Sequence, residues 1–156
     1  MKYFHQETVR ENMTRPARTV DPEMTLGDLL RLFSANDCSA YPVVHDGKLA
    51  GIASRADSIK PFTAKAGTNT ACFDAIMGTT VDQIMSWHVI TVELDATLDT
   101  VVHLMGVHDF ESFPVVDQES RVRGVISRED VIRALARYTW RGSTPLPLSP
   151  MGYAIA

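Results

Sequence analysis

The sequence has few cysteines and no long apolar run. Cys38 and Cys72 are the two cysteines of a 156-residue chain, too few for a disulfide framework, which favours a reducing compartment. Roughly 18 consecutive apolar residues would be needed to span a membrane, and no such stretch occurs. The first seven residues also lack the apolar run of a signal peptide. These absences together predict a cytoplasmic protein that does not contact a membrane.

Positive charge is scarce as well. The chain has 15 Lys and Arg against 19 Asp and Glu, so its net charge is −4 at pH 7. No basic block or stripe occurs, and nucleic-acid binding therefore has little electrostatic support. Hydrophobic residues make up 45% of the sequence, which is enough for a folded core in one domain-sized chain.

The motifs of catalytic and metal sites are also missing. His103 and His108 are five residues apart, and no His or Cys pair has zinc-binding spacing, so we expect no metal. Cys38 has no evident base nearby, which favours a packing role over a nucleophilic one. No P-loop or Gly-x-Gly-x-x-Gly motif occurs. We expect no enzyme activity, no catalytic residues and no catalytic cofactor.

What the chain does contain is an internal repeat. The stretch from Val9 to Asp57 returns from Val81 to Asp130, with one extra residue near Glu119. Both copies end on Gly-x-x-Ser-Arg-x-Asp. A repeat of this length is a supersecondary unit that cannot bury its apolar face alone. We therefore expect the two copies to pack on each other, and a site to lie in the seam between them.

Each copy predicts the order helix, strand, helix, strand, strand, helix. A short helix ends at Met13 or Met85, and short strands follow at 19–20 and 91–92. Apolar residues at the spacing of one buried helical face are Leu26, Leu29, Leu30 and Phe33 in the first copy and Leu98, Val101, Val102 and Met105 in the second. Strands are predicted at 41–44, 49–53, 113–116 and 122–126, and the last helix from 128 to about 138. This order is typical of an α+β fold with small mixed sheets.

The domain boundaries follow from the repeat. We predict an N-terminal arm at 1–8, repeat 1 at 9–62, a linker at 63–80, repeat 2 at 81–140 and a Pro-containing tail at 141–156. Small polar residues dominate the linker, although 73–77 could add a helical turn.

The Ser-Arg-x-Asp segments lie where a strand ends and a helix begins. In one interpretation the Ser is the N-cap and the Asp occupies N3, which is a capping box. In the other, the Asp accepts the ribose hydroxyls of a nucleotide, while the Ser, the Arg and the helix N-terminus hold phosphate. Both interpretations stay open, because a capping oxygen can be shared with a ligand.

The repeated features resemble a tandem pair of CBS domains, the module named after cystathionine β-synthase. They are the Met13-Thr14 and Met85-Ser86 segments, the Thr-Val and Pro-Val-Val strands, and the two terminal motifs, which together cover roughly residues 9–138. The resemblance implies two βαββα-type repeats packed about a pseudo-two-fold axis through small mixed sheets, in a stand-alone Bateman-type module. It also implies a homodimer that senses an adenosine ligand and regulates an unknown protein partner.

The resemblance also implies where the ligand binds, since each terminal motif uses a base pocket from the other repeat. One site would join Arg18, Cys38, Ser39 and Ala40 to Ser127, Arg128 and Asp130. The other would join Ile90, Phe110, Glu111 and Ser112 to Ser54, Arg55 and Asp57. Cys38 or Phe110 would cover the face of the adenine.

The sequence departs from the family pattern just before each Asp, where members that bind phosphates often carry a second hydroxyl. This chain has Ala56 and Glu129 there, and the charge of Glu129 disfavours a nearby phosphate. The regulatory ligand therefore stays open among AMP, ADP, ATP, NAD and S-adenosylmethionine. The alternative function is a dimerisation or interaction protein that has the CBS fold and binds no nucleotide.

Overall fold

The computed structural model describes residues 4–63 and 70–139, in which helices and strands follow the predicted order. After a 3-10 turn at Phe4–Gln6, the helices are α1 Val9–Asn12, α2 Leu26–Ala35, α3 Arg55–Thr63, α4 Thr70–Met77, α5 Val81–Ile84, α6 Leu98–His108 and α7 Arg128–Thr139. The strands are β1 Ala40–His45, β2 Lys48–Ser54, β3 Val92–Glu93, β4 Ser112–Val116 and β5 Val122–Ser127. Helix α4 occupies part of the predicted linker, and the predicted tail at 141–156 lies outside the described residues.

Two small sheets form, one in each repeat. Strands β1 and β2 are antiparallel, and β4 pairs antiparallel with β5 and parallel with β3, which makes the second sheet mixed. The strand predicted at 19–20 is reduced to a single parallel bridge between Val20 and Val43. Pro22 follows two residues later and has no N–H to donate, so the pairing stops there. The fold is α+β, as predicted.

Helices α2 and α6 begin as their sequences predict. Thr25 accepts the N–H of Asp28 at 3.2 Å, and Thr97 accepts the N–H of Thr100 at 3.3 Å. The apolar face of α2 is buried at Leu26, Leu29 and Phe33 and half-buried at Leu30. In α6 the prediction is wrong for Val102, which is 41% exposed. The buried stripe of α6 is narrower, formed by Leu98, Val101 and Met105, because the described elements cover only that side of the helix.

The two hydrophobic cores exchange their first helices. Val9 and Met13 of the first repeat pack into the core of the second, among Val92, Leu98, Val101, Phe113, Val115 and Ile126. Val81 and Met85 of the second repeat pack into the core of the first, among Val20, Leu26, Leu29, Phe33, Tyr41 and Val43. The sequence repeat is therefore not the packing unit, since each core is completed by the other copy.

Backbone pairing fixes this exchange on both sides. Thr14 and Val125 exchange both backbone hydrogen bonds, at 2.9 and 3.0 Å. Ser86 and Ile52 do the same in the other half, at 2.9 and 3.0 Å. Each crossing segment thus lies against the return strand of the opposite repeat, one residue beyond the glycine of the terminal motif.

That glycine leaves space for the crossing segment. A Cβ on Gly124 would lie 2.7 Å from the sulfur of Met13 and 2.8 Å from the carbonyl oxygen of Thr14. A Cβ on Gly51 would lie 2.6 Å from the sulfur of Met85 and 3.0 Å from a backbone oxygen. A methionine side chain can yield, but the paired backbone cannot move without breaking its hydrogen bonds. The glycine in both terminal motifs therefore has a steric cause.

We predict that Gly124→Ala and Gly51→Ala each lower the free energy of unfolding by roughly 1–3 kcal/mol, the usual cost of overpacking. Gly106→Ala is the matched control, because a Cβ there meets no atom within 4 Å and the residue lies in helix α6. That control should be neutral or stabilising by up to about 1 kcal/mol. Urea denaturation measures all three, and equal values for the three variants would show that the crossing is not tight.

Candidate functional site

Two clefts lie at the seam between the repeats, and each has walls from both. Cleft A has a volume of about 590 Å³, and its lining includes Arg18, Cys38, Ser39 and Ala40 from the first repeat and Ser127, Glu129, Asp130 and Arg133 from the second. Cleft B has a volume of about 620 Å³, and its lining includes Ile90, Phe110, Glu111 and Ser112 from the second repeat and Ser54, Arg55, Ala56, Asp57 and Lys60 from the first. The structure therefore brings together the two predicted sets of residues, with the exception of Arg128.

The clefts meet at the centre of the seam. Ser39, Ala40, Glu111 and Ser112 line both of them. The hydroxyl oxygens of Ser39 and Ser112 lie 3.5 Å apart there. A molecule in one cleft thus contacts residues that also face the other.

Each terminal motif forms the capping box that its sequence predicts. One carboxylate oxygen of Asp130, Oδ2, accepts the N–H of Ser127 at 2.9 Å and its hydroxyl at 2.8 Å, and the N–H of Asp130 donates back to that hydroxyl at 3.3 Å. Asp57 and Ser54 repeat this pattern at 3.1, 2.6 and 3.1 Å. Asp130 is 1% exposed and Asp57 is 4% exposed. The helix start therefore holds each carboxylate in a fixed orientation at the wall of its cleft.

The second carboxylate oxygen, Oδ1, binds groups that sequence reasoning missed. In Asp130 it accepts the hydroxyl of Thr14 at 3.2 Å and the guanidinium of Arg133 at 2.9 Å. In Asp57 it accepts the ammonium group of Lys60 at 2.5 Å. The signal was present in the sequence, because a basic residue follows the Asp by three positions in both copies, the spacing at which helical side chains meet.

Asp57 is ionised despite its burial. Burial by itself raises the pKa of this carboxyl, but the hydrogen bonds from Lys60 and Ser54 outweigh it, so the pKa of Asp57 lies below its usual value. At neutral pH a charged acceptor therefore stands at the wall of cleft B.

The arginines of the terminal motifs support the pocket loops. Arg55 donates from Nε to the carbonyl of Cys38 at 2.7 Å and from Nη2 to that of Asn36 at 3.1 Å, at the C-terminus of α2. Arg128 donates to the carbonyl of Phe110 at 3.4 Å, just beyond the end of α6. A cation is favourable at a helix C-terminus, where carbonyls lack intrahelical partners. The phosphate-binding role of both arginines stays a prediction, and Arg128 lies outside the lining of cleft A that the described residues form.

The two clefts differ where the ligand's base and charged groups would lie. Phe110 is 47% exposed in cleft B and packs against the rings of His108 and Phe113, with centroids 5.7 and 6.0 Å apart. In cleft A the corresponding residue is Cys38, whose thiol donates to the carbonyl of Ala40. Glu129 lines cleft A, and Ala56 takes its place in cleft B. Cleft A therefore carries an extra negative charge and lacks the aromatic wall.

Within residues 4–63 and 70–139, none of the helices combines the length and the hydropathy that a membrane-spanning segment requires. The same ranges contain no group of three His, Cys, Asp or Glu side chains placed to hold a metal ion.

Comparison with known proteins identifies relatives for most of the chain. A model of the CBS domain matches residues 8–57 and 81–137. MJ1426 from Methanocaldococcus jannaschii is 30% identical over 152 aligned residues, which cover 81% of this chain and 90% of that protein. MJ1225 from the same archaeon is 29% identical over 138 residues, or 86% of this chain. The chain spans only 49% of the length of MJ1225 and 43% of that of a further relative, MJ0188.

Solved structures show the same architecture. The crystal structure of MJ1225 has a TM-score of 0.74 to this chain at 28% identity, covering 84% of this chain and 48% of that one. The CBS domain pair of MJ0100, in complex with 5′-methylthioadenosine and S-adenosyl-L-methionine, has a TM-score of 0.69 at 25% identity, covering 84% of this chain and 97% of that one.

Proposed function

The chain belongs to the CBS domain family, and we propose that it is a non-catalytic regulatory module that binds an adenosine ligand. The observation that carries this proposal is the buried carboxylate that each terminal motif presents to a cleft whose opposite wall comes from the other repeat. The complex of the MJ0100 pair with two adenosine derivatives supports it. The range of candidate ligands comprises AMP, ADP, ATP, NAD and S-adenosylmethionine.

In this proposal the ribose hydroxyls donate to the carboxylate, and the base enters the pocket of the opposite repeat. Asp130 and Asp57 are suited to the ribose because a fixed carboxylate can accept two hydroxyl hydrogen bonds. Phe110 offers an aromatic face to the adenine in cleft B, and Cys38 a smaller, polarizable one in cleft A. A ligand bound in this way contacts both repeats, so binding changes the angle between them and the surface that a protein partner reads.

The alternative is a CBS-fold interaction protein that binds no nucleotide. The capping boxes favour this alternative, because they account for the Ser-x-x-Asp motif without any ligand. Ligand binding itself separates the two functions. A ligand at 100 times its Kd should raise the free energy of unfolding by about 2.7 kcal/mol, which a thermal-shift screen of the five candidates detects.

We predict that Asp130→Asn and Asp57→Asn each weaken one binding event at least tenfold, because a hydrogen bond to a charged acceptor contributes about 1.5–3 kcal/mol. Isothermal titration calorimetry with the best ligand from the screen measures the loss. Asp28→Asn is the matched control, since Asp28 accepts the hydroxyl of its N-cap residue, Thr25, in the first turn of α2 away from both clefts. An unchanged affinity in the Asp57/Asp130 double variant would rule out the ribose role.

We predict that cleft A discriminates against polyphosphates because Glu129 lies in its wall. A carboxylate about 4–6 Å from a phosphate costs up to a few kcal/mol at a dielectric constant near 20, before salt screening reduces it. Glu129→Gln should therefore raise the affinity of cleft A for ATP roughly threefold to tenfold and leave that for adenosine nearly unchanged. Glu23→Gln, which removes an exposed acid elsewhere, is the control in the same titrations. Equal gains for both ligands would show that Glu129 does not act on phosphate.

We also propose that the protein is a cytoplasmic homodimer. Exposed apolar side chains support the dimer. Ile59 and Ile132 occupy equivalent places on α3 and α7 and are 57% and 59% exposed. Val102 and Leu135 are exposed apolar side chains as well. Multi-angle light scattering at micromolar concentration should return about twice the chain mass of 17.3 kDa, and a monomer mass would contradict the proposal.

A further inference from the structure

The second carboxylate oxygen, Oδ1, of the Asp in each terminal motif already has a solvent-exposed cationic partner. Arg133 donates to Oδ1 of Asp130, and Lys60 donates to Oδ1 of Asp57. The carboxylates are almost fully buried, whereas the side chains of Arg133 and Lys60 are 66% and 69% exposed. Both cations also line their clefts. One partner of each ion pair is therefore held in place, and the other can move along the cleft wall.

A ribose and these cations need the same oxygen. Oδ2 of each Asp is committed to the Ser N–H and hydroxyl that start the helix, which leaves Oδ1 for the ribose hydroxyls. In Asp130 that oxygen already accepts both Thr14 and Arg133, so it has no lone pair left for a further donor. Two ribose hydroxyls that donate to Oδ1 must therefore displace both Thr14 and Arg133 in cleft A.

Displacement has an electrostatic consequence. A neutral hydroxyl replaces a charged donor on the carboxylate, and the cation loses its counter-ion. An anionic group on the ligand supplies a new counter-ion to the displaced cation, whereas a neutral ligand supplies none. The exchange thus favours adenosine derivatives with an anionic group beyond the ribose.

We propose that Arg133 and Lys60 determine ligand specificity, leaving the carboxylate when the ribose binds and then pairing with an anionic group of the ligand. This rests on the proposed binding of adenosine ligands. In cleft A a single anionic group matches the wall best, because the positive charge of Arg133 stands near the negative charge of Glu129. The planar guanidinium of Arg133 also suits bidentate contact with a carboxylate or a monophosphate, which the point charge of Lys60 does not.

The test compares a charged ligand with a neutral one. AMP and adenosine are titrated by calorimetry into the Asp57→Asn protein, with and without Arg133→Met. Because Asp57→Asn weakens cleft B, the tighter binding event reports cleft A. Methionine keeps much of the apolar stem but removes the charge. We expect the affinity for AMP to fall at least tenfold and that for adenosine to stay the same or rise, because the competitor for Oδ1 is gone. The corresponding test of cleft B uses Lys60→Met in the Asp130→Asn protein. There too we expect the affinity for AMP to fall and that for adenosine to stay the same or rise.

Two further variants separate specificity from structure. Arg31→Met breaks an equivalent ion pair with Asp28, three positions earlier at 2.6 Å and outside the clefts, and should change neither affinity. Arg133→Lys should retain part of the preference for AMP. If Arg133→Met lowered the affinities for AMP and for adenosine equally, Arg133 would have a structural role and the inference would be overturned. Unchanged affinities for both ligands would also overturn it. A parent protein that bound neither AMP nor adenosine would also overturn the inference, whereas the proposed function fails only if none of the five candidate ligands binds in the thermal-shift screen.

Discussion

The close crossing of each Met-Thr/Ser segment over the glycine of the opposite repeat is the constraint on which the remaining structure depends. Close backbone contact at Gly124 lets α1 complete the core of the second repeat, and the same contact at Gly51 lets α5 complete the core of the first. The same crossing places Thr14 where its hydroxyl reaches Asp130. It also holds the terminal motif of one repeat opposite the pocket loop of the other. Without it there would be two partly exposed half-cores and no shared clefts.

The features that could be predicted from the sequence are those set by local spacing. The α2 and α6 starts follow from a hydroxyl at the N-cap, and the capping boxes at Asp57 and Asp130 follow from Ser-x-x-Asp. The exchange of helices could not be predicted from the residues alone, because an apolar face shows that it will be buried but not against which partner. The prediction for Val102 is wrong for a related reason. The helical period gives the width of the buried stripe only approximately, and Val102 lies beyond the edge of that stripe.

Polar side chains were harder to predict, because several partners compete for each of them. The sequence predicts that Arg55 and Arg128 hold a phosphate. In the structure both guanidinium groups instead donate to backbone carbonyls near the ends of helices. Arg133 and Lys60 carried a signal at three-residue spacing, but such pairs are common on helix surfaces and add little stability there. What distinguishes these two is the burial of the carboxylate they contact, which only the three-dimensional structure reveals.

The exchange of first helices also bears on how the chain is made. Thr14 and Asp130 are 116 positions apart, and the apolar residues of α1 belong to a core whose strands lie in the second repeat. On the ribosome, Val9 and Met13 must therefore stay without their native contacts until the second repeat has been synthesised. Long-range pairing of this kind slows folding and leaves apolar surface open to non-native association. The architecture that creates two shared clefts thus delays completion of the first core and the second alike until the second repeat has emerged.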